Sequence, residues 1–589
     1  MDTIHGTPAS PGIALGPAVL FKKAKVEIVR RRLEEADIEP EMARFKAAIE
    51  ASRGQLEALA ERTAKEAGEA EAAIFQAHLM FLDDPAIVET VEDRVRSQRR
   101  NAEAVVAEVT AEQAAALAAL PHAYLAERAA DVRDVGDRIV RNLVGVGGGP
   151  AGAGVAGAAG EEADPASASP GILFAHDLAP SDTAQLDRRL VLAFVTEVGG
   201  PTSHTAIMAR SLGIPAVVGT GDVLARVREG MAAAIDGDAG SVVLGPDEAA
   251  SRGFERRRQE ATARREGLRR LRDLPAVTTD GRAIELAANV GHPREAAPAL
   301  EYGPTGVGLY RTEFLFLDRD TLPDEDEQYE AYRAVAEAFG RYPVIIRTLD
   351  IGGDKEVPAL GLPRESNPFL GWRALRISLQ RRDLFETQLR AMWRAAAHGN
   401  ILVMFPMVAT IGEIRQAKAA LRAAREGLVA EGKTVGAKLP AGIMVETPAA
   451  AVAADILAKE VDFFSLGTND LIQYTLAVDR VNEKVAYLYD PFNPAVLRLI
   501  DKTVDAAHRA GIWCGMCGEM AGLAAAAPFL VGIGLDELSM SPPSVPLVKE
   551  AIRGMSAREA GRLARQALDC ESGEEVRELL KSLPTGREG

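Results

Sequence analysis

The fold of this chain is narrowed most by a regular alternation of short apolar strands and helical segments. The alternation begins near Ala276 and runs for about 310 residues, a span in which eight strand candidates occur. The candidates are Ile284–Val290, Gly306–Tyr310, Val344–Arg347, Ile401–Val408, Gly442–Val445, Phe463–Leu466, Gly511–Met516 and Glu537–Met540. This size and rhythm are typical of a (β/α)8 barrel, and right-handed crossovers make a closed parallel barrel the simplest solution.

The N-terminal half has a different organisation. A short strand-and-turn piece ends near Phe21, and a helical pattern with dense charge then runs from about Arg31 to Leu143. Strands and helices alternate again from Ile172 to Leu244, so we expect the first strands to join this second segment. The helical stretch is then an inserted antiparallel bundle. The Gly/Ala-rich segment 145–171 is typical of a mobile loop or linker.

A basic helical segment from Arg252 to Arg272 is interpreted as a solvated connecting helix. We therefore predict a multidomain α/β fold with an inserted helical bundle, a linker helix and a C-terminal TIM-like barrel. The predicted domains are residues 1–30 with 144–250 (α/β domain), 31–143 (bundle), 251–275 (linker helix) and 276–589 (barrel).

Charge and composition exclude several functional classes. The formal net charge is −17, which disfavours nucleic acid and anionic membrane surfaces and leaves room for a basic protein partner. The start of the chain lacks the charged and apolar regions of a signal peptide, and no apolar run reaches the ~18 residues of a membrane span. The three cysteines do not make a disulfide framework. We expect a cytoplasmic protein.

One histidine lies at a junction suited to anion chemistry. His204 stands between Ser203 and Thr205, after the strand candidate Leu190–Thr196 and at the start of a helix candidate. Backbone N–H groups at a helix N-terminus attract anions, and a neutral imidazole can accept a phosphoryl group there. Taken alone, the motif also fits a histidine that caps or packs the turn.

Polar residues follow the barrel strands at the points where the strands end. Because the carboxyl ends of barrel strands meet at one rim, we expect residues far apart in the chain to converge there. These residues are Arg311, Arg347, Glu446, Asn469, Asp470 and Cys517, with Arg373 and Arg480 in the segments nearby.

The types of these residues are complementary. Arg311, Arg347 and Arg480 suit a small polyanion, because guanidinium groups bind carboxylate and phosphate bidentately. Glu446 and Asp470 supply the two carboxylates that commonly hold Mg2+ together with substrate oxygens and water. Singly, each residue also fits a surface charge or a helix cap. Their coincidence on five strand ends predicts a site for a small molecule that carries carboxylate and phosphate.

The Cys514-Gly-Met-Cys517 motif is not interpreted as a zinc or redox site. A structural zinc site needs two further ligands at suitable spacing, and the chain has no second cysteine pair. We predict instead that Cys517 is a single thiol at the barrel rim that donates or accepts a proton. The alternative is a buried cysteine with a packing role.

Seven motifs in this order make the chain resemble the enzyme I family of the bacterial phosphoenolpyruvate–sugar phosphotransferase system. The motifs are GGPTSHTAIMAR around His204, GVGLYRTEFLF around Arg311, RTLDIGGDK from Arg347, NPFLGWR from Asn367, IMVETPA from Ile443, GTNDL from Gly467 and GMCGE from Gly515. The similarity covers nearly the whole chain. It implies a swivelling phosphohistidine domain, an HPr-binding bundle and a barrel that binds phosphoenolpyruvate and forms a homodimer.

The resemblance also implies roles for individual residues. Phosphoenolpyruvate binds at the barrel mouth, Mg2+ binds to Glu446 and Asp470, and the Nε2 atom of His204 accepts the phosphoryl group beside Thr183. Cys517 then protonates the enolate to give pyruvate. The implied substrate-binding residues are Arg311, Arg347, Lys355, Arg373, Asn469, Asp470 and Arg480.

The resemblance further implies that the phosphoryl group is delivered to a histidine of the carrier HPr. For the docking surface we predict an apolar patch with an acidic rim, made of Glu71, His78, Leu79, Met80, Phe81, Asp83 and Asp84. Some of these apolar residues also fit the core of the bundle. The alternatives are a nitrogen-regulatory enzyme I, a non-enzymatic regulator, and a dikinase or phosphoenolpyruvate synthase, which needs an additional nucleotide-binding domain.

Overall fold

The chain divides into two compact units, Met1–Ala263 and Arg264–Gly589, in a computed structural model. The structure describes all residues except 22–27, 67–68, 119–122, 146–169, 179–189, 201–202, 204, 207–208, 211–212, 318, 320, 354–356, 364, 483 and 583–589.

The first unit contains one eight-stranded sheet in the order β1-β8-β7-β3-β4-β5-β6-β2. The strands are β1 (Asp2–His5), β2 (Thr7–Ser10), β3 (Ile13–Leu20), β4 (Gly171–Ala175), β5 (Val191–Thr196), β6 (Ala216–Val218), β7 (Ala232–Asp236) and β8 (Ser241–Leu244). Strand β3 pairs in parallel with β4 and antiparallel with β7, so the start of the chain completes the sheet. Phe174 and Phe194 are fully buried in two apolar clusters of this unit.

Among the described residues, five helices lie between β3 and β4. They are α1 (Ile38–Glu66), α2 (Glu69–Leu82), α3 (Pro85–Gln98), α4 (Ala102–Ala118) and α5 (Ala123–Val144). Phe45, Leu56, Phe75 and Val91 lie at the centre of their shared core, each at most 1% exposed. The inserted helices therefore have an apolar core of their own.

The described residues also form the short helix α6 (Val223–Arg226), between β6 and β7, and the long helix α7 (Glu248–Arg270), which follows β8. The mean hydropathy of α7 is low, and most of its arginines are exposed, as expected for a solvated helix.

The second unit is built around a closed barrel of eight parallel strands, which confirms the predicted fold class. The strands are β9 (Glu285–Val290), β10 (Val307–Tyr310), β11 (Val344–Arg347), β12 (Ile401–Phe405), β13 (Ala441–Val445), β14 (Phe463–Leu466), β15 (Trp513–Met516) and β16 (Glu537–Met540). Strand β12 is shorter than predicted because Pro406, which cannot donate to the ladder, follows Phe405. Strand β15 begins later because Gly511, at φ +77°, still belongs to a turn.

Helices surround the barrel and bury its outer apolar face. They are α8 (Ala296–Leu300), α9 (Glu325–Phe339), α10 (Leu375–Gln380), α11 (Arg382–Ala395), α12 (Ile411–Ala430), α13 (Pro448–Val452), α14 (Ala454–Leu457), α15 (Thr468–Leu476), α16 (Pro494–Arg509), α17 (Ala527–Ile533), α18 (Val545–Gly554), α19 (Ala557–Asp569) and α20 (Gly573–Leu580). None of the helices in the described part of the chain has the length and apolar character needed to cross a bilayer.

Candidate active site at the mouth of the barrel

The carboxyl ends of the barrel strands enclose a cavity of about 240 Å³. All the barrel-site candidates within the described residues line it, although they come from five strand ends and nearby segments. These residues are Arg311, Arg347, Arg373, Glu446, Asn469, Asp470, Arg480 and Cys517. The parallel barrel explains this convergence, because every strand in it delivers its last residue to the same rim.

Arg347 is the most deeply buried cation of the site. Its Nη1 atom lies 2.7 Å from Oδ2 of Asp350, and its Nη2 atom donates to Oε1 of Glu313 at 2.8 Å. Burial lowers the pKa of the guanidinium, but Asp350 and Glu313 outweigh that effect and the net shift is upward. Arg347 therefore stays charged in spite of its burial, and its direction is fixed on two sides.

Asp470 connects two further arginines at the rim. Its Oδ2 accepts from Nη2 of Arg373 at 3.1 Å, and its Oδ1 accepts from Nη1 of Arg480 at 3.0 Å. Arg373 also donates to Oδ1 of Asp350 at 3.0 Å, which joins it to the Arg347 cluster. The site thus contains a continuous chain of alternating cations and carboxylates.

Arg311 and Asn469 are placed differently. Arg311 is exposed, lines the cavity and has no ion pair with any residue in the described ranges, so its guanidinium is available to an anion. The Nδ2 of Asn469 donates to Oε1 of Glu519 at 2.9 Å, and its Oδ1 accepts from the backbone N–H of Glu519 at 2.8 Å. This reciprocal pair fixes the orientation of the amide.

Glu446 and Cys517 both hold their protons more tightly than usual. Burial raises the pKa of Glu446 to about 8, and repulsion from Asp470 and Asp350 acts in the same direction. Its Oε1 accepts from the backbone N–H of Met407 at 2.5 Å. Burial raises the pKa of the Cys517 thiol to about 12, so the thiol is protonated at neutral pH.

The residues present fit a hard divalent cation. The repulsion among Glu446, Asp470 and Asp350 is the kind that a bound cation relieves, and carboxylate oxygens are the ligands that Mg2+ prefers. Within the described ranges no group of three or more His, Cys, Asp or Glu side chains could hold a metal by itself. A two-carboxylate site with substrate and water oxygens as the other ligands is consistent with that finding.

Sequence reasoning missed several partners in this site. Asp350, Glu313 and Glu519 hold the predicted arginines and asparagine, but none was singled out. Asp350 carried a usable signal, because it stands three residues after Arg347 in the same strand-end motif. No sequence signal pointed to Met407. Its backbone has a strained φ of +55°, and its N–H donates to the Glu446 carboxyl group. Only the tertiary structure shows this contact.

Three predicted site residues, Thr183, His204 and Lys355, lie outside the described residues. The side chain of Glu71 also lies outside the described part of the chain. The structure therefore leaves these assignments as predictions.

The remaining docking candidates lie at the end of α2 and in the turn that follows. Met80 is 74% exposed, whereas Leu79 and Phe81 are partly buried against the bundle core. Asp83 is exposed and pairs with Arg53 at 2.7 Å. The side chain of Asp84 accepts from the backbone N–H of Ala86 and caps α3.

The structure corrects the predicted position of His78. The sequence analysis placed it on the docking surface, but it has no solvent exposure, so that prediction is wrong. Its Nε2 lies 3.3 Å from Oδ1 of Asp131 on α5, and its Nδ1 lies 3.8 Å from Oδ2 of Asp134. The side chain at 78 points to the neighbouring helix because it lies one turn from Phe75, the buried anchor of α2.

Comparisons with known proteins agree with this architecture. Family models described as PEP-utilising enzyme match the chain in three parts: the N-terminal model over residues 5–128, the mobile-domain model over 168–240 and the PEP-binding-domain model over 265–557.

Similar proteins extend over almost the full chain. Proteins named phosphoenolpyruvate-protein phosphotransferase from Bacillus sp. (strain S) and Geobacillus stearothermophilus are each 47% identical to it, over 98% of both chains compared. One from Staphylococcus aureus is 45% identical over 98% of this chain and 99% of its own. With this similarity and a closed parallel barrel whose mouth gathers arginines, carboxylates and one thiol, the chain belongs to the phosphoenolpyruvate-protein phosphotransferase family of PEP-utilising enzymes.

Proposed function

We propose that this protein is a phosphotransferase that moves the phosphoryl group of phosphoenolpyruvate to His204 and then to a histidine of the carrier HPr. The observation that carries the proposal is the cavity of about 240 Å³ in which Arg311, Arg347 and Arg480 lie beside Glu446 and Asp470. Phosphoryl transfer needs placement and neutralisation of charge more than covalent help, and this set of residues supplies both.

The three arginines have different roles in binding the substrate. Arg347 is held rigidly by Glu313 and Asp350, so it presents a fixed cation to the phosphate. Arg311 is unpaired among the described residues and can close on the substrate, and Arg480 adds a third cation from the rim. Asn469, locked by Glu519, donates to a substrate oxygen. We assign Lys355 and Arg373 to the same substrate-binding group.

Mg2+ is the cation we assign to Glu446 and Asp470. When bound, it supplies neutralisation of the charge that develops on the phosphate and enolate oxygens. Both Asp470 oxygens accept arginine hydrogen bonds, and each retains a lone pair for a further partner.

Cys517 completes the reaction as the proton donor. Departure of the phosphoryl group leaves an enolate, and its methylene carbon takes the proton of the Cys517 thiol to give pyruvate. The raised thiol pKa of about 12 suits this role, because the group holds a proton at neutral pH and yields it only to a strong base. Protonation also removes the enolate and draws the transfer forward.

The N-terminal unit supplies the relay and the docking surface in this proposal. We assign residues 1–30 with 144–250 to a phosphohistidine domain with Thr183 beside His204, 31–143 to the HPr-binding bundle, 251–275 to the linker and 276–589 to a barrel that dimerises. The docking surface is Glu71, Leu79, Met80, Phe81, Asp83 and Asp84, which is apolar at its centre and acidic at its rim. A sugar-uptake role is favoured over the nitrogen-regulatory one.

The test is labelling with phosphoenolpyruvate that carries a radioactive phosphate, in the presence of Mg2+. We expect a label that is stable to base and labile to acid, as a phosphohistidine is, and that is absent from His204→Ala. A matched control is His176→Ala, since His176 is an exposed histidine of the same unit and its loss should leave labelling unchanged. Label retained by His204→Ala would overturn the assignment.

A further inference from the structure

A buried glutamine lies behind the mouth of the barrel, on a helix that the proposed mechanism does not use. Gln388 is on α11, and the buried face of that helix is otherwise mostly apolar, with Leu384, Phe385 and Leu389 beside it. The side chain of Gln388 is 1% exposed, and it is not among the described residues that line the cavity. A primary amide in such surroundings is costly unless its polar atoms are hydrogen-bonded. Its hydrogen-bond partners therefore indicate its role.

The amide of Gln388 binds residues that follow two neighbouring barrel strands. Its Oε1 accepts from the backbone N–H of Leu349, after β11, at 2.9 Å. Its Nε2 donates to Oγ1 of Thr312, after β10, at 3.3 Å and to the hydroxyl oxygen of Tyr332 on α9 at 3.2 Å. Both N–H donors and the carbonyl oxygen of the amide are thus used.

The direction of the amide follows from the hydrogen bonds that its partners donate elsewhere. The hydroxyl of Thr312 donates to the carbonyl oxygen of Arg347 at 3.1 Å. The hydroxyl of Tyr332 donates to Oε1 of Gln328 at 3.0 Å. Each hydroxyl therefore accepts from the amide, whereas the N–H of Leu349 can only donate to it. A flipped amide would place its NH2 group against another donor, so the amide joins β10 and β11 in one arrangement.

Each of the two strand-end residues precedes a carboxylate that holds Arg347. Glu313 follows Thr312, and Asp350 follows Leu349. Nη2 of Arg347 donates to Glu313 and its Nη1 lies beside Asp350. The two carboxylate segments are also connected directly, because the backbone N–H of Asp350 donates to Oε1 of Glu313 at 3.3 Å. The direction of the Arg347 guanidinium is therefore set from behind the site, by a side chain of the surrounding helices.

The other two arginines of the proposed phosphate site have supports of their own. The backbone N–H of Arg311 donates to the carbonyl oxygen of Val290 on β9 at 2.9 Å. Nη1 of Arg480 donates to Oδ1 of Asp470 at 3.0 Å. Loss of the glutamine amide should therefore disturb the alignment of Arg347 and leave most of the attraction for an anion in place.

We propose that Gln388 is a positioning residue for phosphoryl transfer, which aligns Arg347 by fixing the ends of β10 and β11. The proposal rests on the proposed function, because it takes Arg347 as a cation that binds the phosphate. Gln388 touches no substrate and acts only through Thr312, Leu349 and the carboxylates that follow them. Alignment matters most in the transition state, where the charge of the migrating phosphoryl group must meet a cation at a fixed place. Gln388 should therefore act on the rate of transfer more than on substrate affinity.

The experiment compares Gln388→Leu with the unaltered protein in single-turnover labelling of His204 by radioactive phosphoenolpyruvate and Mg2+. Leucine keeps the apolar packing of α11 but makes no side-chain hydrogen bond. We expect the labelling rate at saturating phosphoenolpyruvate to fall about tenfold, while the concentration that gives half the maximal rate changes less than about threefold. An unchanged maximal rate, or a loss confined to substrate affinity, would overturn the proposal.

Gln328→Leu is the matched control for the loss of a buried amide. Gln328 is fully buried and belongs to the same set of hydrogen bonds, in which it accepts from Tyr332 and donates to the carbonyl oxygen of Pro323 at 3.2 Å. Its side-chain partners lie on α9 and just before that helix, so the substitution frees neither strand end. Gln328→Leu should lower Tm, as Gln388→Leu does, and leave the labelling rate unchanged. Equal losses of rate in the two variants would show a structural effect only and overturn the proposal.

Thr312→Val tests the same connection from the strand side, and it keeps the test available if Gln388→Leu does not fold. Valine has the shape of threonine but lacks the hydroxyl that joins Gln388 to the backbone of Arg347. We expect a slower maximal rate in Thr312→Val, and recovery in Thr312→Ser, which keeps the hydroxyl. The double variant with Gln388→Leu should lose little more than Gln388→Leu alone, since both changes break one connection. A normal rate in Thr312→Val, or no recovery in Thr312→Ser, would overturn the proposal.

Failure of the positioning role and failure of the proposed function give different results. If the unaltered protein takes no label from phosphoenolpyruvate, or if His204→Ala retains it, the proposed function is wrong. If the unaltered protein is labelled at His204, and Gln388→Leu and Thr312→Val are labelled at the same rate, only the positioning role is wrong.

Discussion

The mouth of the barrel and the helical bundle both bury charged side chains, but in contrasting ways. At the mouth, Arg347 and Arg373 share the buried carboxylate of Asp350 beside a cavity that a ligand can enter. In the bundle, His78 lies between Asp131 and Asp134 inside a packed helical core. Buried charges around a cavity are available for chemistry, whereas buried charges between packed helices act on the stability of those helices.

The comparison predicts that substitutions in the two regions affect different measurements. Changes at the mouth should reduce phosphoryl transfer from phosphoenolpyruvate, and changes in the bundle should reduce stability or HPr binding. Three substitutions test this separation.

The largest effect is expected for Arg347→Lys. A lysine cannot reach Glu313 and Asp350 together, so two buried carboxylates lose part of their compensation and the substrate loses a fixed cation. We expect kcat/KM for phosphoenolpyruvate to fall about 1,000-fold, or about 4 kcal/mol. Arg341→Lys, at an exposed arginine beside Tyr342, is the control and should leave kcat/KM unchanged. If calorimetry showed a changed affinity of Arg347→Lys for HPr, the mouth of the barrel and the bundle would not act separately.

His78→Ala should have the next largest effect, and on stability. The substitution leaves a cavity next to Phe75 and removes the neighbour of two buried carboxylates. We expect the bundle to lose roughly 3 kcal/mol of unfolding free energy in urea denaturation. His176→Ala removes a mainly exposed ring and should change stability little. Pyruvate exchange in the barrel should stay normal, and its loss would show that the bundle cluster acts on the chemistry after all.

The smallest effect is expected for Met80→Glu, which sharpens the position of the docking surface. Met80 is 74% exposed, so the substitution should not unfold the bundle. Loss of an apolar contact at the centre of the surface should raise KM for HPr about tenfold while pyruvate exchange is unchanged. Val29→Glu, at an apolar residue that is 67% exposed, is the control. Unchanged HPr kinetics in Met80→Glu would place docking elsewhere.

Much of the barrel could be predicted from the sequence. The predicted and observed bounds coincide for Val344–Arg347, Phe463–Leu466 and Glu537–Met540. Every residue of these three strands is buried, as expected for parallel strands that are covered on both faces. The site followed from the same strands, since parallel strands in a barrel bring their carboxyl ends to one rim. The polar residues after each strand were therefore sufficient to predict which side chains meet.

The bundle was predictable only as a set of helices. Helical spacing does not say which neighbouring helix covers a given side chain. The sequence analysis placed both His78 and Met80 on the docking surface, but His78 is buried and Met80, two residues later, is exposed. A polar residue at the edge of a stripe is buried or exposed according to the helix packed against it.

The sequence by itself determined the order of elements, the closed parallel barrel and the residues at its rim, because these follow from periodicity and chain connectivity. Only the tertiary structure decided the pairing of Arg347 with Glu313 and Asp350, the burial of His78 and the hydrogen bonds of Gln388 to Thr312 and Leu349. Each of these depends on distances between residues far apart in the chain. Such distances are set by how strands and helices pack together, and no local pattern records them.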